Sequence, residues 1–192
     1  MRKVIALYII IGMVVVSARA DIIPSFMGTT ISGPNTVWGY QIDITSDQHV
    51  TVGDFFTIYD FGPFIAGSNS QPSDWSFSSS LIGPTPAGTN PPDSPNILNL
   101  TWTYTGPSAL IGIGIGPFSV MTAGAQEAPL TRGSFFAAQG TRATGADAGT
   151  KVNNVGQIPV PAPIPEPSSV VLIGVGAFSW AIARRRRRGL QA

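Results

Sequence analysis

The chain has 192 residues, room for one ordinary domain plus processing segments but not for a second full domain. Its net charge of +1 conceals a segregation: Arg2, Lys3 and Arg19 lie in the first twenty residues and Arg184 to Arg188 near the C-terminus. All ten carboxylates fall between Asp21 and Glu166 against only Arg132, Arg142 and Lys151, so the body carries −7, which argues against a nucleic-acid partner because phosphates demand clustered cations.

Residues 1–20 read as a secretory signal peptide. A basic start at Arg2 and Lys3 precedes an apolar stretch from Val4 to Val16, and Ala18 and Ala20 form the small-residue site that places cleavage before Asp21. Thirteen apolar residues are short for a permanent span, which needs about 20.

Cysteine is absent, which removes disulfides, thiolate metal sites and a cysteine nucleophile together. A body without staples must be held by burial.

Residues 21–157 carry β signals throughout. In NTVWGYQIDIT, Trp38, Tyr40, Ile42 and Ile44 share one face while Gly39, Gln41, Asp43 and Thr45 share the other. In NILNLTWTYTG, Leu98, Leu100, Trp102 and Tyr104 oppose Asn99, Thr101, Thr103 and Thr105. Strand side chains alternate faces, so each segment is expected to be half buried and half wet. Further strands are expected at His49–Phe61 with a bulge at Gly53, and at Asp74–Ser78, Ala109–Ile115, Phe118–Thr122, Gly133–Thr141 and Thr150–Gln157. Clusters such as GSNSQPSD and the long run Gly83–Asn96 are turns and loops. About eight short strands with polar breaks give an all-β, antiparallel sandwich with a jelly-roll-like character.

After Gln157 the composition changes. Residues 158–167 are proline-rich and read as an extended spacer. An apolar segment follows at 168–183, read as a single transmembrane helix: its fourteen uncharged residues from Val170 to Ala183 span about 21 Å as a helix. That is short against a hydrocarbon layer of roughly 30 Å, and Ser168, Ser169 and snorkelling arginines extend its reach. Residues 184–192 form a basic tail in which Arg184, Arg185, Arg186, Arg187 and Arg188 orient the segment with the tail on the cytoplasmic side and the body outside.

Pro165-Glu166-Pro167, an apolar segment and a terminal arginine cluster, in that order, resemble the PEP-CTERM sorting signal of bacterial exported proteins. The resemblance implies that an exosortase, a membrane-embedded cysteine-protease-like enzyme, is the processing partner. It also implies an exopolysaccharide-producing diderm envelope, with the precursor held at least transiently in the inner membrane. The body is similar to a loose group of such proteins through GDFFTIYDF (Gly53 to Phe61), LTWTYTG (Leu100 to Gly106) and KVNNVGQIPVP (Lys151 to Pro161). That likeness implies a surface protein and no defined activity.

Candidates for chemistry are few. His49 is the sole histidine and lacks a neighbouring nucleophile elbow, so it reads as a strand-end residue rather than as part of a Ser-His-Asp site. Asp43, Asp47, Asp54 and Asp60 are close enough in sequence to invite a paired-carboxylate glycosidase reading, but short acidic side chains in turns commonly bond their own backbone. Calcium at these aspartates or at Asp147 has suitable oxygen donors but no specifying spacing. GIGIGPF (Gly112 to Phe118) lacks the lysine of a phosphate loop and reads as a tightly packed strand. Asn99-Leu100-Thr101 forms a general glycosylation sequon with Asn99 on the expected wet face, but Ile97 stands two places before Asn99 where an acidic residue would be needed, so the bacterial form of that modification is not expected.

No catalytic residue, metal or cofactor is therefore expected. Two functions remain: a structural or interaction protein of the envelope or matrix, and a carbohydrate-binding module. For the second, Trp75 and Phe77 are the candidates to stack on sugar rings of an extracellular polysaccharide, with packing as the competing role for Trp75.

Overall fold

The computed structural model describes residues 22–125 and 131–162. Residues 1–20, read as a signal peptide, Pro165 to Pro167, residues 168–183, read as a transmembrane helix, and Arg184 to Arg188 lie outside the described residues. Within them the secondary structure is β only.

Nine strands follow in chain order: β1 (Ile22–Ser32), β2 (Asn35–Ile44), β3 (Gln48–His49), β4 (Phe55–Ile58), β5 (Trp75–Ser80), β6 (Asn99–Tyr104), β7 (Ile115–Ala123), β8 (Thr131–Arg142) and β9 (Lys151–Pro161). All the ladders are antiparallel and make two sheets. The first has the order β1-β2-β7. In the second, β8 pairs along its length with β9, while its other edge takes β4 at Phe136–Gln139 and β3 at Thr141–Arg142; β6 and β5 continue outward from β4.

The sheets face each other across one apolar core, the arrangement of a sandwich. β2 contributes Trp38, Tyr40, Ile42 and Ile44, as its alternation requires, and β7 adds Phe118 and Val120. The facing sheet supplies Phe56, Ile58, Leu100, Trp102, Tyr104, Ala138, Ile158 and Val160. Phe118 joins the layers: its ring lies edge-on to Phe56 at 5.1 Å, to Trp75 at 5.0 Å and to Trp102 at 5.9 Å. Edge-to-face pairs of this kind contribute about 0.5–1.5 kcal/mol each beyond the area they bury.

Four departures from the expected elements have physical causes. β1 escapes periodicity because Pro24 interrupts it and a bulge between Phe26 and Gly28 resets the alternation, with Gly28 at φ 119°. The expected strand from His49 to Phe61 is two strands divided by a turn at Thr51–Asp54, where Gly53 adopts φ 88°. The expected strand Ala109–Ile115 is a loop up to Gly114, attached at Leu110, which bridges Val50, at Gly112, whose carbonyl accepts from Ile44, and at Gly114, whose N–H donates to Asp43. GIGIGPF is a strand only in its second half: Gly112 and Gly114 take positive φ and Ile113 is exposed, whereas β7 begins at Ile115 and buries Phe118.

The fourth departure is at the C-terminal side of the body. β9 runs to Pro161, so Ile158 and Val160, expected in the spacer, are core residues. Pro159 and Pro161 are tolerated because β9 pairs only with β8, and proline on such an outer strand sacrifices no central ladder bond.

Candidate functional site

Seven aspartates, three cations and His49 make up the charged and titratable set from which a site on the described body would have to be built, tyrosines aside. The fold disperses them.

Asp54 has no exposed surface, because the turn before β4 folds it inward. Its Oδ2 accepts from the Thr51 backbone N–H at 2.8 Å, from the Thr51 hydroxyl at 3.0 Å and from the Thr141 hydroxyl at 2.8 Å. Its Oδ1 accepts from Lys151 Nζ at 2.6 Å. The ammonium group also donates to Thr141 at 2.9 Å and to Thr51 at 3.2 Å. The result is a closed knot: one buried carboxylate fully subscribed by one cation, two hydroxyls and an amide. It joins the β3–β4 turn to the ends of β8 and β9. Nearby, Arg142 pairs with Asp47 at 3.4 Å, and Asp47 also accepts from the Thr45 hydroxyl at 3.0 Å.

Asp60 lies toward the other end, at φ 52°. Its carboxylate accepts from Ser94 N–H at 2.9 Å, its own N–H donates to Asn99 Oδ1 at 2.8 Å, and its carbonyl accepts from Arg132. Asp43 accepts from Gly114 N–H at 2.7 Å. The Asp147 carbonyl takes two bonds from Thr150. Asp43, Asp47, Asp54 and Asp60 thus each hold a separate turn, and no two of them are joined through a common hydrogen-bond partner among these contacts. His49 is half-buried on β3 opposite Thr141. Among the described residues no group of three or more histidine or carboxylate side chains is placed to hold a metal ion.

Asn99 is not on a wet face. It is completely buried, as are Thr57 and very nearly Thr101, because the loop 81–98 folds over the outer side of β4 and β6. Asn99 Nδ2 donates to Asp93 at 3.0 Å and to Leu81 O at 3.3 Å. Thr57 and Thr101 share a hydroxyl bond at 2.9 Å, and Tyr59 ties the loop down by donating to Pro84 O at 2.9 Å. A polar face was legible in the sequence; its burial was not, because alternation reports which residues share a side and not what covers it.

Trp75, a candidate for sugar stacking, is 4% exposed and enclosed by Phe56, Phe118 and Tyr104. That packing leaves no ring face open to a pyranose. Phe77 is half-buried against Trp102 and Phe64.

Burial of the phenols is the main electrostatic perturbation. Desolvation pushes the Tyr40 hydroxyl far above its ordinary range and raises Tyr59 as well. Tyr40 donates to Pro159 O at 3.0 Å and so fastens β2 to β9.

The decisive residues lie beyond the last strand. Residues 163–188 match the PEP-CTERM protein-sorting motif. The tail is a sorting signal. Pro165, Glu166, Pro167 and Arg184 to Arg188 all fall inside the matched segment, which begins two residues after β9 ends. A PEP-CTERM motif implies export, membrane-associated sorting and processing by an exosortase. No curated protein matches the chain.

Proposed function

We propose that this protein is an exported, non-enzymatic component of the cell surface or exopolysaccharide matrix. Its tail is read and cut by an exosortase at Pro165 to Pro167, after Arg184 to Arg188 and the apolar segment have held the precursor in the inner membrane. The observation that carries this reading is the sorting-motif match at 163–188 directly behind a folded acidic body. The structural role of the body is supported by the way its carboxylates are spent on turns and ladders, with Asp54, Asp47 and Asp60 each bonded within the fold.

The carbohydrate-binding alternative draws less support, since Trp75 is enclosed and Phe77 presents only part of its ring.

Intact mass of the protein recovered separately from membrane and extracellular fractions of its native host tests the proposal. Processing gives an extracellular chain that begins at Asp21 and ends near Pro167. A mature chain that retains Arg184 to Arg188 would mean a standing anchor and would exclude cutting.

A further inference from the structure

The ladders fix which end of the sandwich the tail leaves. β9 ends at Pro161, opposite Thr131. β1 runs beside β9 in the same direction: Asn154 Nδ2 donates to Ile22 O at 2.8 Å, and Tyr40, the ladder partner of Phe26, donates to Pro159 O at 3.0 Å. The β1–β2 turn at Ser32–Asn35 therefore lies at the end from which the tail departs.

Little chain separates that end from the membrane segment. Ala162, Pro163 and Ile164 precede Pro165, and residues 162–169 precede the apolar run. Eight residues reach at most about 28 Å when fully extended. That reach bounds the separation and keeps the end from which the tail departs as the end nearest the membrane segment.

The hairpin itself is neutral: residues 22–42 contain no charged side chain. Arg132, opposite Val160, and Asp60, whose carbonyl it reaches, lie toward the same end in the facing sheet, while Asp47, Asp54, Arg142 and Lys151 gather at the opposite end. The hairpin exposes Met27 at 61% and Ile31 at 49%; exposed apolar side chains also occur toward the opposite end, at Val52, Ile111 and Ile113, so it is the neutrality of the hairpin that sets it apart. Neutral turn residues with exposed apolar side chains suit a layer of lipid headgroups, where carboxylates would meet phosphate repulsion.

We propose that, while the tail is attached, the β1–β2 turn end of the body rests on the lipid surface and the Asp54–Lys151 end points outward. This rests on the reading of the tail as a membrane-held sorting signal. It adds an orientation to that reading: the hairpin of β1 and β2 is a lipid-contacting face, and the region around Thr51, Thr141 and the Ala143–Gly149 loop is presented to the exterior.

The absence of cysteine allows a direct test. Ser32→Cys and Ala148→Cys, both at exposed positions, each create the chain's sole thiol. The full chains are made in a bacterial host without the processing enzyme, and spheroplasts are labelled with a bulky polyethylene-glycol maleimide. Each rate is divided by the rate for the same chain in detergent, which cancels intrinsic reactivity. The expected result is a several-fold suppression of labelling at position 32 and none at 148, with suppression lifted by a long Gly/Ser insert between Ala162 and Pro163. Equal ratios in the uninserted, membrane-bound chain would overturn the orientation and leave the sorting reading intact. Recovery of the chain in the soluble fraction would overturn both.

Discussion

Lys151 Nζ sits 2.6 Å from a carboxylate oxygen of Asp54, which has no exposed surface, although 97 positions separate the two in sequence. The contact fastens the first residue of β9 to the turn that launches β4. Removing the lysine leaves a desolvated charge still held by two threonines and an amide. Because the lysine side chain is 43% exposed, solvent recovers part of the loss. Lys151→Met is expected to cost about 1–2 kcal/mol, and Asp54→Ala, which also orphans the Thr51 amide, about 3 kcal/mol. Urea denaturation of both variants checks the order; a Lys151→Met protein less stable than Asp54→Ala would refute it.

Asn99 is expected to resist modification when the purified, folded protein is presented to an enzyme that glycosylates Asn-X-Thr, and to accept it when the chain is presented unfolded, because folding closes the loop 81–98 over it. Its replacement by alanine strands the Asp60 N–H and is expected to cost about 1–3 kcal/mol. Mass spectrometry after treatment of folded and unfolded protein and thermal melts decide the two parts, and equal modification of the folded form would show that the loop does not close.

Stability is expected to fall at alkaline pH. Tyr40 and Tyr59 hold their protons in the fold above their ordinary value of 10.0, so above that pH the unfolded chain releases protons that the folded chain retains. Unfolding is favoured as pH rises through and beyond 10, and no loss from these groups occurs below it. Tyr40→Phe keeps the ring, removes the titration and the bond to Pro159, and should therefore lower stability at pH 8 while flattening its decline toward pH 11. Thermal melts across that range supply the test, and an equally steep decline in the variant would refute the assignment to Tyr40.

Phe118→Ala should be among the most damaging single changes in the body, at about 3–5 kcal/mol, since it empties the contact of one sheet with Phe56, Trp75 and Trp102 of the other. A loss under 1 kcal/mol by denaturant titration would mean that the layers close without it.

Replacing Pro165, Glu166 and Pro167 with alanine is expected to leave folding untouched, because β9 ends at Pro161, and to block removal of the tail. Unchanged release of a shortened chain from the native host would place recognition elsewhere.

How much was legible depended on what each segment reports. β2 was plain because its partners lie on both sides and its inward residues are uninterrupted from Trp38 to Ile44. The sorting tail was plain because three unlike elements must occur in one order, a specific coincidence. β1 was hidden by a bulge, and the isoleucines of Ile111–Ile113 imitated a strand although glycine turns carry them into solvent. The Asp54 knot could not be anticipated because its members come from positions 51, 54, 141 and 151, brought together only by the crossing of β8 between β4 and β9. Local turn bonding at Asp54 was foreseeable from Gly53; its distant cation was not.

The position of β9 has a consequence for biogenesis. Ile158 and Val160 complete the core, yet they come only a dozen or so residues ahead of the apolar run that, in the proposed function, holds the precursor in the membrane. The sandwich cannot close until nearly the entire chain has crossed, since β8 pairs with strands drawn from residue 48 to residue 161. On the proposed function, translocation delivers an open chain, and closure of the last strand falls at about the moment the tail lodges. Folding and arrest then become nearly simultaneous, and the ribbon presented to a processing enzyme is already tethered to a finished β-sheet.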